Sequence, residues 1–224
     1  MKGILFDLDE TLIDRNRAVE IFAVNLWQES FTKKQISQSS FLEQVIELDQ
    51  YGYTPRPEFF DSMLRCFPEA LTSGPILERL FYEQVWETPV LADGVLNHLS
   101  HLQQEGIPLG LVTNGSSKAQ SSKIENSGLV KYFDVVLVSE DFGVKKPDPS
   151  IYLEASNRLG VKPVDCWFVG DHPVNDIWGS KQVFFRSAWV HLNRPWPANL
   201  SPCYDLKGVN FNETMSLIVD SNLT

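Results

Sequence analysis

Positive charge is scarce in this chain: 19 Lys and Arg stand against 29 Asp and Glu, a formal net charge of -10 at pH 7. A surface of that sign repels nucleic acid and anionic membranes, and no Lys/Arg run offers a local exception. Cysteine is scarcer still. Cys66, Cys166 and Cys203 are widely spaced and odd in number. With no Cys-x-x-Cys pair and no Cys/His cluster, neither a disulfide framework nor a zinc site has support. Cys166 lies in the apolar run Cys166-Trp167-Phe168-Val169 and reads as core rather than nucleophile. No apolar stretch approaches the roughly 20 residues that span a bilayer. The first apolar run begins near residue 3 without a long leader-like segment, so no secretory signal is expected. Repeats and low-complexity linkers are also missing. The remainder is ordinary globular composition, 43% hydrophobic and 21% charged, in a chain long enough for a full core and an insert. The expectation is a cytoplasmic enzyme without nucleic-acid or membrane partners, whose oligomeric state is not readable.

Five short runs rich in Val, Ile, Leu and Phe are present, at 3–8, 109–113, 135–138, 166–169 and 188–192. Their hydrophobicity is continuous rather than alternating, which suggests strands covered on both faces, as in a parallel sheet. Helical patterns at 93–104, 117–127 and 149–159 lie between the later runs, each followed by a glycine stop at Gly106, Gly128 and Gly160. Strand–helix alternation of this kind predicts a doubly wound α/β fold. The first connection is far longer than a crossover needs. It reads as four helices, with Ser39-Ser40 as a cap before the second and Pro57 and Pro75 at the starts of the third and fourth. The expected organisation is a core of residues 1–14 and 90–224 with a helical insert at 15–89. A last helix is expected over 211–219.

The first strand ends in Asp7-Leu8-Asp9-Glu10-Thr11. Residues i and i+2 of a strand share a face, so Asp7 and Asp9 crowd one space at its carboxyl end. Two unit charges about 4 Å apart repel by roughly 4 kcal/mol at an effective dielectric near 20, which calls for a cation or a shared proton. Ligands of open parallel sheets bind beyond the carboxyl ends of strands. The second run delivers Thr113-Asn114-Gly115-Ser116 there, a hydroxyl and a glycine turn before a helix, which suits an anion or simply caps the helix. The fourth run delivers Gly170-Asp171-His172-Pro173-Val174-Asn175-Asp176. Three or four carboxylates without Cys or His suit a hard cation with oxygen ligands, magnesium in particular. His172, beside a proline in a turn, reads as a supporting residue. Pro147 restricts Lys146 to an extended backbone that could aim its side chain at the same rim.

Taken in order, Asp7-Leu8-Asp9-Glu10-Thr11, Thr113-Asn114, Lys146-Pro147 and Gly170-Asp171 with Asp176 resemble the four motifs of haloacid dehalogenase-like hydrolases. The pattern is most similar to the magnesium-dependent phosphatase branch with a helical cap. The resemblance implies a Rossmann-like core and a small phosphorylated metabolite as substrate. It makes Asp7 the nucleophile that forms an aspartyl-phosphate, and Asp9 the acid and then base. It has Thr113 and the Asn114 backbone hold phosphoryl oxygens, Lys146 neutralise them, and Thr11 support the turn that aims Asp9. Magnesium would be held by the Asp7 carboxylate, the Asp9 carbonyl, Asp171 and Asp176. Competing readings are a phosphomutase of the same fold, a dehalogenase, against which Asp9 argues, and a non-catalytic phospho-ligand-binding protein.

Overall fold

Ile4, Leu5 and Phe6 are all fully buried in the first strand, β1 (Gly3–Phe6), because the sheet is covered on both faces. The computed structural model describes residues 2–30, 36–68 and 73–221. In chain order β1 is followed by α1 (Arg15–Ser30), α2 (Gln38–Asp49), α3 (Arg56–Cys66) and α4 (Gly74–Val85). Next come α5 (Val95–Gln104), β2 (Leu109–Thr113), α6 (Ser117–Asn126), β3 (Val135–Val138), the short α7 (Ser139–Phe142) and α8 (Pro149–Leu159). The chain ends with β4 (Cys166–Gly170), a wide helical turn over Pro173–Trp178, α9 (Gly179–Lys181), β5 (Arg186–Val190), β6 (Leu206–Gly208) and α10 (Phe211–Ser221). Two units separate, Met1–Ile13 with Leu91–Thr224, and Asp14–Val90. No helix among the described residues is long and apolar enough to cross a membrane.

The first unit holds six parallel strands in the order β3-β2-β1-β4-β5-β6. This is the strand order of a doubly wound sheet, and it places β1 and its neighbours β2 and β4 at the point where the winding reverses. Alternate residues supply two cores. Ile4, Phe6, Trp167 and Val169 pack with Val95 and Leu99 of α5, Ile124 of α6 and Met215 of α10. Leu5, Val112 and Phe168 pack with Ile151, Tyr152 and Ala155 of α8. Cys166 is fully buried in this second core, where burial pushes its thiol up to about 12, so it is a core residue.

Several boundaries differ from the sequence reading for local reasons. β5 runs over Arg186–Val190 rather than 188–192, because Leu192 and Asn193 take positive φ (48° and 59°) and turn the chain. β6 is a further strand: Leu-Lys-Gly is too short and too polar to show a pattern, and pairing with β5 alone defines it. α5 starts at Val95, since Gly94 at φ 82° is not helical. The cap of α2 is Ser37, whose Oγ accepts from the Ser40 N–H at 3.1 Å, so Ser39 and Ser40 belong to the first turn.

The described residues of the second unit include the four helices α1–α4, around an aromatic core that includes Phe22, Phe41, Phe59, Phe60 and Phe81. Asp49 is buried there and accepts from Arg15 Nη1 and Nη2 (2.6 and 2.7 Å) and from Arg56 Nη1 (2.8 Å). Burial alone would raise its carboxyl, but the two guanidinium groups hold it below its ordinary value. Arg56 also lies over Phe59 and Phe81, 5.1 and 5.2 Å from the ring centroids.

Candidate active site

β1, β2 and β4 end side by side, and residues at or just beyond their ends carry the site. Asp7 follows β1, its N–H still bonded to the Val169 carbonyl at 2.9 Å. Asp171 follows β4, and the wide turn that begins at Pro173 brings Asp176 back to the same strand end. Oxygens of Asp7, Asp171 and Asp176, all three buried, lie within 4.8 Å of one another. Lys146 reaches them from the loop before α8: its Nζ donates to Asp7 Oδ1 at 2.5 Å and to Asp176 Oδ1 at 2.7 Å. The Lys146–Pro147 peptide bond is cis.

The backbone here leaves no room for change. A Cβ at Gly170 would collide with the Asp176 side chain. Gly170→Ala should therefore displace Asp176, remove one partner of Lys146 and cost about 1–3 kcal/mol as an overpacked site. A urea unfolding midpoint equal to the wild type's would contradict this placement. Asp176 Oδ2 accepts from the His172 N–H at 2.9 Å, which fixes its rotamer. The His172 imidazole caps the following turn, its Nδ1 accepting from the Val174 and Asn175 N–H groups (3.1 and 3.0 Å). Burial lowers its pKa, so it stays neutral there and serves the backbone.

Burial governs the charges. Burial together with Asp176 and Asp9 raises Asp7 to about 7, against the opposing pull of the Lys146 ammonium. Asp171 is raised well above the carboxylate range by burial, Asp176 and Asp7, although Arg194 opposes this with a 2.7 Å contact from Nη2 to Oδ2. Burial alone would lower Lys146, but Asp176 and Asp7 keep it above its ordinary value. The cluster is thus short of positive charge. Its donor set, three carboxylates and no sulfur or imidazole, fits a hard divalent cation. Asp171 and Asp176 could hold such an ion together with Asp7.

The Thr113-Asn114-Gly115-Ser116 loop follows the capping alternative of the sequence reading. Gly115 N–H donates to Ser139 Oγ (3.1 Å), Ser117 N–H to Glu140 Oε2 (2.8 Å) and Ala119 N–H to Ser116 Oγ (3.3 Å). These amides are engaged within the protein, and Glu140 already supplies the negative charge that the α6 N-terminus favours. The loop thus caps α6, and the Thr113 hydroxyl and the Asn114 backbone are left for the anion expected there. The Asn114 side chain does a different job, bonding both ways with the Lys146 backbone (2.9 Å from its Nδ2 to the carbonyl, 2.8 Å from the amide to its Oδ1). It ties the ends of β2 and the lysine loop together. Thr11 Oγ1 lies 3.5 Å from Asp7 Oδ2.

Asp9 is not among the three clustered carboxylates. It bonds to Lys123 Nζ through both oxygens (2.8 and 2.7 Å) and to Gln120 Nε2 at 3.1 Å. Gln120, Lys123 and Arg194 escape a sequence reading, because a lone Gln, Lys or Arg outside a motif looks like any surface residue. The one available signal is the helical i, i+3 spacing of Gln120 and Lys123, just after a strand end.

With this geometry in place, comparison with known proteins gives the class. A family profile described as haloacid dehalogenase-like hydrolase matches residues 1–183. The glyceraldehyde 3-phosphate phosphatase of Methanopyrus kandleri is 31% identical over 82% of this chain and 81% of its own. The human N-acylneuraminate-9-phosphatase is 30% identical over 90% and 87%. Among solved structures, a phosphatase of the same family from Thermococcus onnurineus superposes with a TM-score of 0.65 at 26% identity, covering 97% of this chain and 98% of that one. The chain belongs to the haloacid dehalogenase-like hydrolases. As an enzyme it falls with the phosphoric monoester hydrolases of that family.

Proposed function

We propose that this enzyme is a magnesium-dependent phosphatase that hydrolyses a small phosphomonoester through an aspartyl-phosphate on Asp7. The observation that carries the reading is the buried cluster of Asp7, Asp171 and Asp176 with the Lys146 ammonium between two of them. In this reading an Asp7 oxygen attacks phosphorus as the bond to the leaving oxygen breaks. Asp9, protonated at that stage, gives its proton to that oxygen. Water then attacks the phosphorus of the aspartyl-phosphate, Asp9 takes the proton, and Asp7 and inorganic phosphate are released. Lys146 and the Thr113 hydroxyl stabilise the phosphoryl oxygens. Bound magnesium supplies the positive charge that lets a phosphate dianion meet several carboxylates. Uncatalysed phosphomonoester hydrolysis is among the slowest of reactions, needing accelerations up to about 10²¹, so fixed charge is the main task of the site. The helical unit, which the chain enters and leaves just after the Asp7–Asp9 loop and just before α5, is proposed to act as a cap that selects the leaving group.

Release of phosphate from p-nitrophenyl phosphate with magnesium, lost on adding EDTA, tests the reading. EDTA-resistant turnover would overturn the metal requirement. The pH dependence follows from Asp7. Its carboxyl, raised to about 7 by burial, holds a proton below that pH, and a cation must displace it. Apparent magnesium affinity should rise by about tenfold or more per pH unit from about pH 5 to pH 7. Calorimetric titration in buffers of different ionisation heat reads both affinity and proton release, and a pH-independent affinity would contradict it.

A further inference from the structure

Two buried polar side chains on α6 are not used by the mechanism as stated. Gln120 and Lys123 are 2% and 4% exposed, and long polar side chains are rarely buried to that degree unless paired. They lie one turn apart, and Lys123 Nζ donates to Gln120 Oε1 at 2.9 Å. From this joined pair, Lys123 holds both oxygens of Asp9, while Gln120 Nε2 reaches Asp9 Oδ2 (3.1 Å), Thr113 Oγ1 (2.6 Å) and the Asn114 carbonyl (3.3 Å). One helical turn thus touches the ends of both β1 and β2. Because the Gln120 amide donates into the Thr113 oxygen, the Thr113 proton is left to point elsewhere.

We infer that Lys123 and Gln120 are positioning residues: Lys123 sets the place of the Asp9 carboxyl, and Gln120 orients the Thr113 hydroxyl toward the phosphoryl group. This inference rests on the functional reading above. The bland alternative is that the pair only neutralises and fills the end of α6. The two differ in what a mutation reports. A filling role lowers stability and all activities alike, whereas a positioning role acts through Asp9 on the leaving group and through Thr113 on phosphate binding.

The test is a double-mutant cycle on the intact enzyme with magnesium, using p-nitrophenyl phosphate and an alkyl phosphate. Lys123→Met is expected to lower kcat/KM for the alkyl ester, whose leaving oxygen needs a proton, by about 10²-fold, the scale of a positioned acid. For p-nitrophenyl phosphate the loss in kcat/KM should be within about threefold, since that leaving group departs unaided and the water attack shared by both substrates does not enter kcat/KM. Lys123→Arg should restore part of the alkyl activity. In an Asp9→Asn background, Lys123→Met should add nothing, because residues acting through one another are not additive. Gln120→Leu should instead raise KM and weaken competitive inhibition by inorganic phosphate about tenfold, with a smaller change in kcat. Should Lys123→Met not fold, Lys123→Gln takes its place in the same cycle. Equal losses on both substrates, or full additivity with Asp9→Asn, would overturn the inference while leaving the phosphatase reading intact. Absence of phosphate release by the wild type would overturn that reading, and with it the inference.

Discussion

Asp7→Asn should abolish turnover, with kcat lowered about 10⁴-fold or more. An amide oxygen is a poor nucleophile, and removal of a nucleophile costs the full covalent route rather than a fraction of it. The change keeps the shape of the side chain in a site where Asp7 is buried among Lys146, Asp176 and Asp9. It removes one negative charge from a cluster already short of positive charge. The fold should therefore survive, and circular dichroism and the melting curve should stay close to the wild type's. Magnesium affinity should fall, since one of three clustered carboxylates is gone. Near-normal activity in a well-folded Asp7→Asn enzyme would remove the nucleophile from the account.

Lys146→Met should have the second-largest effect. Lys146 is 4% exposed and its ammonium bonds to two buried carboxylates, at Asp7 Oδ1 and Asp176 Oδ1. Loss of the charge that would face the phosphoryl oxygens should lower kcat by about 10³-fold, the scale seen when a fixed electrostatic donor is removed. Stability should fall too, by about 3 kcal/mol at neutral pH, because a buried ion pair has lost one partner. Asp7 already titrates at about 7, above the unfolded carboxyl, and loss of the ammonium raises it further. A group raised in the folded state favours folding at low pH and loses that advantage as pH rises through its folded value. The stability deficit of Lys146→Met relative to wild type should thus be smallest near pH 5.5 and grow toward pH 8.5. A constant deficit across that range, measured by urea unfolding, would contradict the coupling of Lys146 to Asp7.

Much of this was legible in the chain because parallel, doubly covered strands leave continuous apolar runs. Leu109–Thr113 and Val135–Val138 coincide with β2 and β3, and Pro149 to Leu159 with α8, where Asp148, Pro149 and Gly160 mark both ends. β6 left no pattern because its three residues are held by pairing rather than by composition. The acids and the lysine of the site could be named because each stands at a strand end or beside a proline, where chemistry shows in the sequence. Their partners could not. Gln120, Lys123 and Arg194 lie in a helix and a loop with no motif, and only the fold brings them to Asp9, Thr113 and Asp171. The Asn114 side chain shows the reverse case, a motif residue whose side chain braces the Lys146 backbone.

Rapid acid quenching of a single turnover, followed by mass spectrometry of the peptides, puts the proposed covalent route to its most direct test. One added phosphoryl group on Asp7, formed and lost at the rate of phosphate release, is the predicted result. Phosphorylation at another residue, or unmodified Asp7 throughout a turnover that releases phosphate, would contradict it.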